Sequence, residues 1–372
     1  MLASVSTQPL STALREVINP LTTVVCTGAI LVSLSSTHAF AQSDDVVAIN
    51  SAESSVDSAK SGMPNPQTLL DNMADAMETL NYSGEYIHVV GSTIESMRIV
   101  HASTDHGEFE RLTSLNGEAR EVFRSDEVLT CIWPGSKSII VGTSRARESI
   151  PRIDAHVLQS DFYNTEYRGY DRVASRDAHV IEIRPVDEFR YGYRFWIDAE
   201  SSMLLRMVLV DSNDKSVEQL MFTSISYPDS IDLAIFDSDI DEKGFQVTNM
   251  NSSRKEVPTS SGGGANVLQS ASDPIVEIGE LPGGYQKVSQ IYDPMPIGKS
   301  PLSHITISDG MASVSVYVEH EGAALQDSSR GMSTMGAVNA FAMAVDDAFV
   351  TVVGEVPAAV VEAIGYSVQV RN

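Results

Sequence analysis

Between His179 and Ile225 apolar and polar residues repeatedly alternate, in the run HVIEIRPVDEFRYGYRFWIDAESSMLLRMVLVDSNDKSVEQLMFTSI, and the breaks carry Asp, Ser, Asn and Pro. Alternation at period two with turn-forming breaks predicts three or four consecutive strands, an antiparallel meander. Tyr191, Tyr193, Phe195 and Ile197 fall on one face and Arg194 and Trp196 on the other, so one side can be dry while the other tolerates a guanidinium. A ribbon of this kind must bury its aromatic face on helices, on another sheet or on a ligand.

Upstream, Leu69, Leu70, Met73, Met77 and Leu80 recur at helical spacing behind Asn65-Pro66, an N-cap residue followed by a proline suited to the first helical position. Short strands follow over Tyr82 to Val90, Glu95 to His101, Phe109 to Leu115, Arg120 to Phe123, Val128 to Trp133 and Lys137 to Gly142, with Asn116-Gly117 predicting a tight type I′ turn. From Thr143 to Arg168 the pattern weakens into a stretch readable as helix or loop. Nine or ten strands with one clear helix are too many for a flat sheet, which predicts a curled, open barrel.

The composition shifts over 243–274, rich in Ser, Gly and Asn, which predicts a flexible linker. Beyond it, Ala312, Val314, Val316 and Val318 alternate with polar residues after an Asp309-Gly310 turn, Val338 to Val345 and Phe349 to Val353 form a hairpin across Asp346-Asp347, and Pro357 opens a short helix through Ile364. The expected fold class is α+β, predominantly antiparallel β: a large domain over 64–242 and a small sheet-and-helix domain over 275–372.

The N-terminus changes the picture of where this chain works. Arg15, the apolar stretch Leu21 to Leu34 and Ala39-Phe40-Ala41 have the layout of a signal peptide over 1–41, predicting cleavage after Ala41, a mobile leader over 42–63, and a soluble, exported mature chain. Cys26 lacks the small residue that a lipoprotein signal places before its cysteine, and Cys131 is then the single mature cysteine, so no intramolecular disulfide is expected. The 25 basic and 50 acidic residues leave a formal charge of −25, which argues against nucleic acid as a partner and reads as a solvated, solubilising surface.

Candidate chemistry is sparse. His101 and His106 lack metal-ligand spacing, no nucleophile elbow, dinucleotide fingerprint or P-loop occurs, and Ser212 and Lys215 satisfy S-x-x-K only within a predicted hairpin turn. No catalytic residue, cofactor or metal is expected.

The stretches ESMRIVH (Glu95 to His101), GEFERL (Gly107 to Leu112), LNGEAREVFR (Leu115 to Arg124), RYGYRFWID (Arg190 to Asp198) and VEQLMFTSI (Val217 to Ile225) resemble the MucB/RseB family. In the second domain LPGGY (Leu281 to Tyr285), SDGMASVSVYVE (Ser308 to Glu319) and VTVVGEVP (Val350 to Pro357) do so as well. The resemblance implies a LolA/LolB-like open half-barrel with helices, plus a small C-terminal domain that contacts the partner. It also implies a periplasmic regulator of the sigma-E (AlgU-type) envelope-stress factor, which binds the periplasmic domain of a transmembrane anti-sigma factor, shields it from site-1 proteolysis, and is displaced by lipopolysaccharide or lipid. The alternative is a periplasmic lipid or lipoprotein carrier of LolA/LolB type; homo-oligomerisation is left open. Tyr86, Phe123, Trp133, Phe195, Met207 and Phe222 are candidates to line a lipid cavity, with a closed core as the alternative for each, because strand phase does not separate the two. With so few basic residues, and with Met343 where the resemblance suggests a basic one, acyl contact or bridging divalent cations would have to replace direct pairing with lipid phosphates.

Overall fold

A computed structural model describes residues 63–105, 107–125, 128–143, 161–238, 243–249, 275–293, 302–320 and 330–371. The expected signal segment, nearly all of the leader, residues 144–160 of the weak stretch, and 250–274 of the expected linker lie outside the described residues.

The first helix, α1 (Pro66–Thr79), starts where the N-cap signal put it: Asn65 Oδ1 accepts from the Gln67 amide at 2.8 Å, and Leu69, Leu70, Met73 and Ala76 are buried. Two meanders follow. The first comprises β1 (Tyr82–Val90), β2 (Thr93–Thr104), β3 (Gly107–Ser114), β4 (Glu121–Ser125), β5 (Val128–Trp133) and β6 (Ser138–Thr143). The second comprises β7 (Tyr163–Val173), β8 (Arg176–Pro185), β9 (Gly192–Asp198), β10 (Leu204–Val210) and β11 (Ser216–Ser226). Antiparallel pairing of β1 with β11 welds the two into one sheet, which β12 (Gln246–Asn249) extends by pairing parallel to β6. The order is β12-β6-β5-β4-β3-β2-β1-β11-β10-β9-β8-β7, with the outermost strands unpaired to each other, so this is an open sheet and not a closed barrel.

Register carries the alternation across the sheet. Met207 lies opposite Phe195 and Leu209 opposite Tyr193, while Ile181 meets Phe195 from the other side, so an apolar inner face runs across β8 to β10. Helix α1 covers it: Leu69, Leu70 and Met73 join Tyr193, Phe195, Ile197 and Met207 in one cluster. Each such fully buried side chain contributes about 1.5–3 kcal/mol. On the outer face the Arg206 guanidinium sits 4.2 Å from the Trp196 ring, and Trp196 Nε1 donates to Asp171 Oδ2 at 2.8 Å.

Three local expectations are corrected. Tyr163–Val173, which begins inside the stretch read as helix or loop and runs past its expected end at Arg168, is edge strand β7, whose solvent-facing positions are mostly polar or charged and so mask the strand signal. Gln246–Asn249, within the expected linker, is a strand whose side chains are all exposed. At Asn116-Gly117 only the glycine has positive φ (72°), so the turn is not type I′. Asn116 instead accepts from the Ser96 amide and donates to Ile94 O, binding the turn to β2.

The small domain is a six-stranded sheet in the order β14 (Gln286–Asp293), β15 (Leu302–Ser308), β16 (Ser313–Glu319), β19 (Ala348–Gly354), β18 (Val338–Val345), β17 (Gly331–Met335). A pair formed by β13 (Ile275–Ile278) and β20 (Val368–Arg371) and the helix α2 (Ala358–Ser367) complete it. Val314, Val316 and Val318 are fully buried against Val360, Val361 and Ile364 of α2, as their alternation predicts. The helix runs three residues past the expected Ile364.

Candidate partner-binding interface

Three of the stretches that carry the family resemblance meet where the two domains touch. Arg190, in the loop before β9, is fully buried, an arrangement that requires paired charges. Its Nε donates to Asp309 Oδ2 of the small domain at 2.8 Å, one terminal nitrogen pairs with Asp187, and the other donates to Gly283 O. Its guanidinium lies 4.3 Å from the Phe162 ring centroid and 5.0 Å from that of Tyr285, so aromatic faces supply the rest of its shell. Asp309 is itself built for this: Oδ1 accepts from the Met311 and Ala312 amides and holds the β15–β16 turn, leaving Oδ2 for Arg190 and for Tyr163 Oη at 3.0 Å. Gly284 permits the approach, having φ +83° and so little room that a Cβ would stand 2.6 Å from Arg190 Nη2.

A second contact lies beside it. Asn339 Nδ2 donates to Val356 O at 2.7 Å and to Tyr191 Oη at 3.1 Å, and Tyr191 Oη donates to Ala337 O at 3.2 Å. Met311 and Ala337 of the small domain pack into the same cluster as α1 and Phe195. On the rim of the large domain His88 Nε2 is 2.6 Å from Glu218 Oε1, and Glu95 behind it is held by Arg120 at 3.4 Å.

The six candidate cavity residues separate into three groups. Tyr86 and Phe222 lie in a cluster with Met97, Leu112, Val122 and Cys131, and Trp133 packs against it half-buried. Phe195 and Met207 belong instead to the neighbouring cluster under α1. Phe123 stands on the opposite sheet face, half-buried beneath the Arg111 guanidinium at 5.1 Å. The Tyr86 hydroxyl is buried with no hydrogen-bond partner among the described residues, and burial first, then the nearby Glu110 charge, pushes its pKa far up. Ser212 and Lys215 lie in the β10–β11 turn, and among the described residues no group of three metal-ligating side chains occurs.

Sequence patterning missed the Arg190–Asp309 clamp. Its available signals were an arginine set among aromatics in RYGY and the paired glycines of LPGGY, which mark a close backbone approach.

Residues 65–242 match the MucB/RseB N-terminal domain and residues 272–369 match the MucB/RseB C-terminal domain, in that order. This chain belongs to the MucB/RseB family. The sigma-E factor regulatory protein RseB of Salmonella typhimurium is 27% identical over 322 residues, covering 83% of this chain and 92% of that protein. RseB of Haemophilus influenzae is 29% identical over 165 residues, 44% of this chain and 52% of its own. Among solved structures, MucB in complex with MucA(peri) shares the family fold at a TM-score of 0.60 and 21% identity, covering 83% of this chain and 100% of that one.

Proposed function

We propose that this chain is a periplasmic negative regulator of an envelope-stress sigma factor: it binds the periplasmic segment of a one-span anti-sigma factor, shields it from site-1 proteolysis, and lets go when lipid or lipopolysaccharide takes its place. The observation that carries this is family membership through both domains of one chain, together with relatives named as regulators of sigma-E and a MucB solved with MucA(peri). The buried clamp supports it, because a partner would meet one composite surface formed by two joined domains. The work is binding and release, not catalysis. Export with cleavage after Ala41 would deliver the mature chain to the periplasm; among the described residues no helix is long and apolar enough to cross a membrane. An apolar inner face suits acyl chains, each buried methylene contributing about 0.8 kcal/mol, and a partner segment that orders on binding is displaceable by a moderate rival. The charge of −25 favours a partner that presents basic residues.

The test is cleavage of the cognate anti-sigma periplasmic domain by its site-1 protease with and without this protein. Protection is expected, and added lipopolysaccharide should abolish it. No protection at saturating concentration refutes the proposal, and tight lipid extraction from vesicles would then favour a carrier of LolA/LolB type. Complex formation should weaken as salt is raised; a salt-independent pull-down removes the electrostatic part.

A further inference from the structure

Glu355 of the small domain stands at the domain interface because its neighbours hold it there. Gly354 pairs with Asn339 in the β18–β19 ladder, and Val356 accepts from the same Asn339 amide that reaches Tyr191 of the large domain. Across the interface Glu218 of β11 lies opposite Val90 in the β1–β11 ladder and is bonded to His88 of β1 at 2.6 Å, and the charges of both act on Glu355. Two residues beyond His88, Val90 meets the β17–β18 turn so closely that a Cβ on Gly336 would come within 2.2 Å of Val90 Cγ1. The titratable and charged groups facing this point are Glu218, His88, Asp211 of the β10–β11 turn, Tyr191 and Tyr193, with Glu95 and Arg120 behind His88. With Arg120 engaged by Glu95, one imidazolium thus serves Glu218 and Glu355 in a partly buried space, and the two carboxylates cannot both ionise without repulsion.

We propose that Glu355, facing Glu218 and His88 across the domain interface, is a proton-operated latch: neutral, it lets the small domain seat on the large one, and ionised, it repels Glu218 and loosens the seat. Burial, with the Glu218 charge adding and His88 opposing, pushes the Glu355 carboxyl up from its ordinary 4.5 to about 8. Burial by itself would depress His88, but its bonds to Glu218 and Glu95 outweigh that and lift the imidazole to about 9. A carboxyl whose pKa is raised by docking contributes fully below its ordinary value, and that contribution drains away as pH climbs to its docked value. Docking is therefore tightest in acid, weakens between about pH 4.5 and 8, and loses the compensating His88 charge near 9. The latch acts on domain seating itself, whichever partner occupies the surface.

The experiment is hydrogen exchange by mass spectrometry on the full mature chain at pH 5.5 and 8.5, with intrinsic rates corrected, read at Ala337 to Asn339 and around Tyr191. For one fully coupled proton, protection should fall by up to about two-hundredfold in the wild type, whereas Glu355→Gln, neutral throughout, should hold its protection level. Should that variant fail to fold, Glu218→Gln, which removes the opposing charge but not the burial, should shrink the wild-type fall without abolishing it, and an unchanged fall in Glu218→Gln then counts against the latch. No wild-type fall, or a fall that the glutamine variant reduces by less than half, overturns the latch.

Discussion

Replacing Arg190 by alanine tests whether the clamp holds the domains together. The substitution leaves the Asp309 side chain, 1% exposed, with Tyr163 Oη and its own turn amides but no counter-charge, and strips Asp187 and Gly283 O of their donor. Removing one member of a buried ion pair costs about 3–5 kcal/mol, and here the stack on Phe162 and Tyr285 goes too. At about 2–4 °C per kcal/mol for a domain of this size, the expected fall in Tm is about 6–20 °C. Scanning calorimetry should also show a single transition separating into two as the small domain uncouples. Arg190→Met combined with Asp309→Asn should recover most of the loss, since a neutral replacement of both partners leaves no buried charge while asparagine keeps the turn acceptor. A loss under about 1 kcal/mol for Arg190→Ala, with one transition retained, would refute the clamp.

Gly284→Ala must place a Cβ at φ +83° and 2.6 Å from Arg190 Nη2, so urea denaturation should show a loss of at least about 1–3 kcal/mol. Tyr86→Phe removes a buried hydroxyl that lacks a partner among the described residues and should be neutral or stabilising by about 1 kcal/mol; a clear drop in Tm would mean that the hydroxyl is satisfied. Asp198 is buried, which raises its pKa, but its bonds to Arg176, the Glu200 amide and Ser201 outweigh this and lower it. Its contribution is therefore present above the ordinary carboxylate value and lost as pH falls through the lowered one, and Asp198→Asn should flatten the acid limb of a stability–pH profile.

Much of the architecture was legible. The period-two alternation at Tyr191, Tyr193, Phe195 and Ile197 assigns these residues to one face, and that face is buried under α1. The Asn65-Pro66 start and the Asp346-Asp347 turn stand as expected because each depends on neighbours within a few residues. Strand β7 was not legible, since an edge strand wets alternate positions and carries YNTEYRGYDRV without a sustained apolar row. Phe123 shows the other limit. Strand phase relates it to Val122 and Arg124 but does not say which phase faces inward, and it lies outside while Val122 lies within.

The sequence by itself determined the kinds of element, their order, the division into two sheet-rich parts and the family, because propensity, periodicity and turn chemistry act over a few residues. Only the tertiary structure decided what the elements do together. Arg190 and Asp309 are 119 residues apart, and His88 and Glu218 are 130 apart, united by the β1–β11 pairing. A buried guanidinium or a bonded imidazole–carboxylate pair exists only where distant groups converge with water largely excluded, and no local pattern records that convergence.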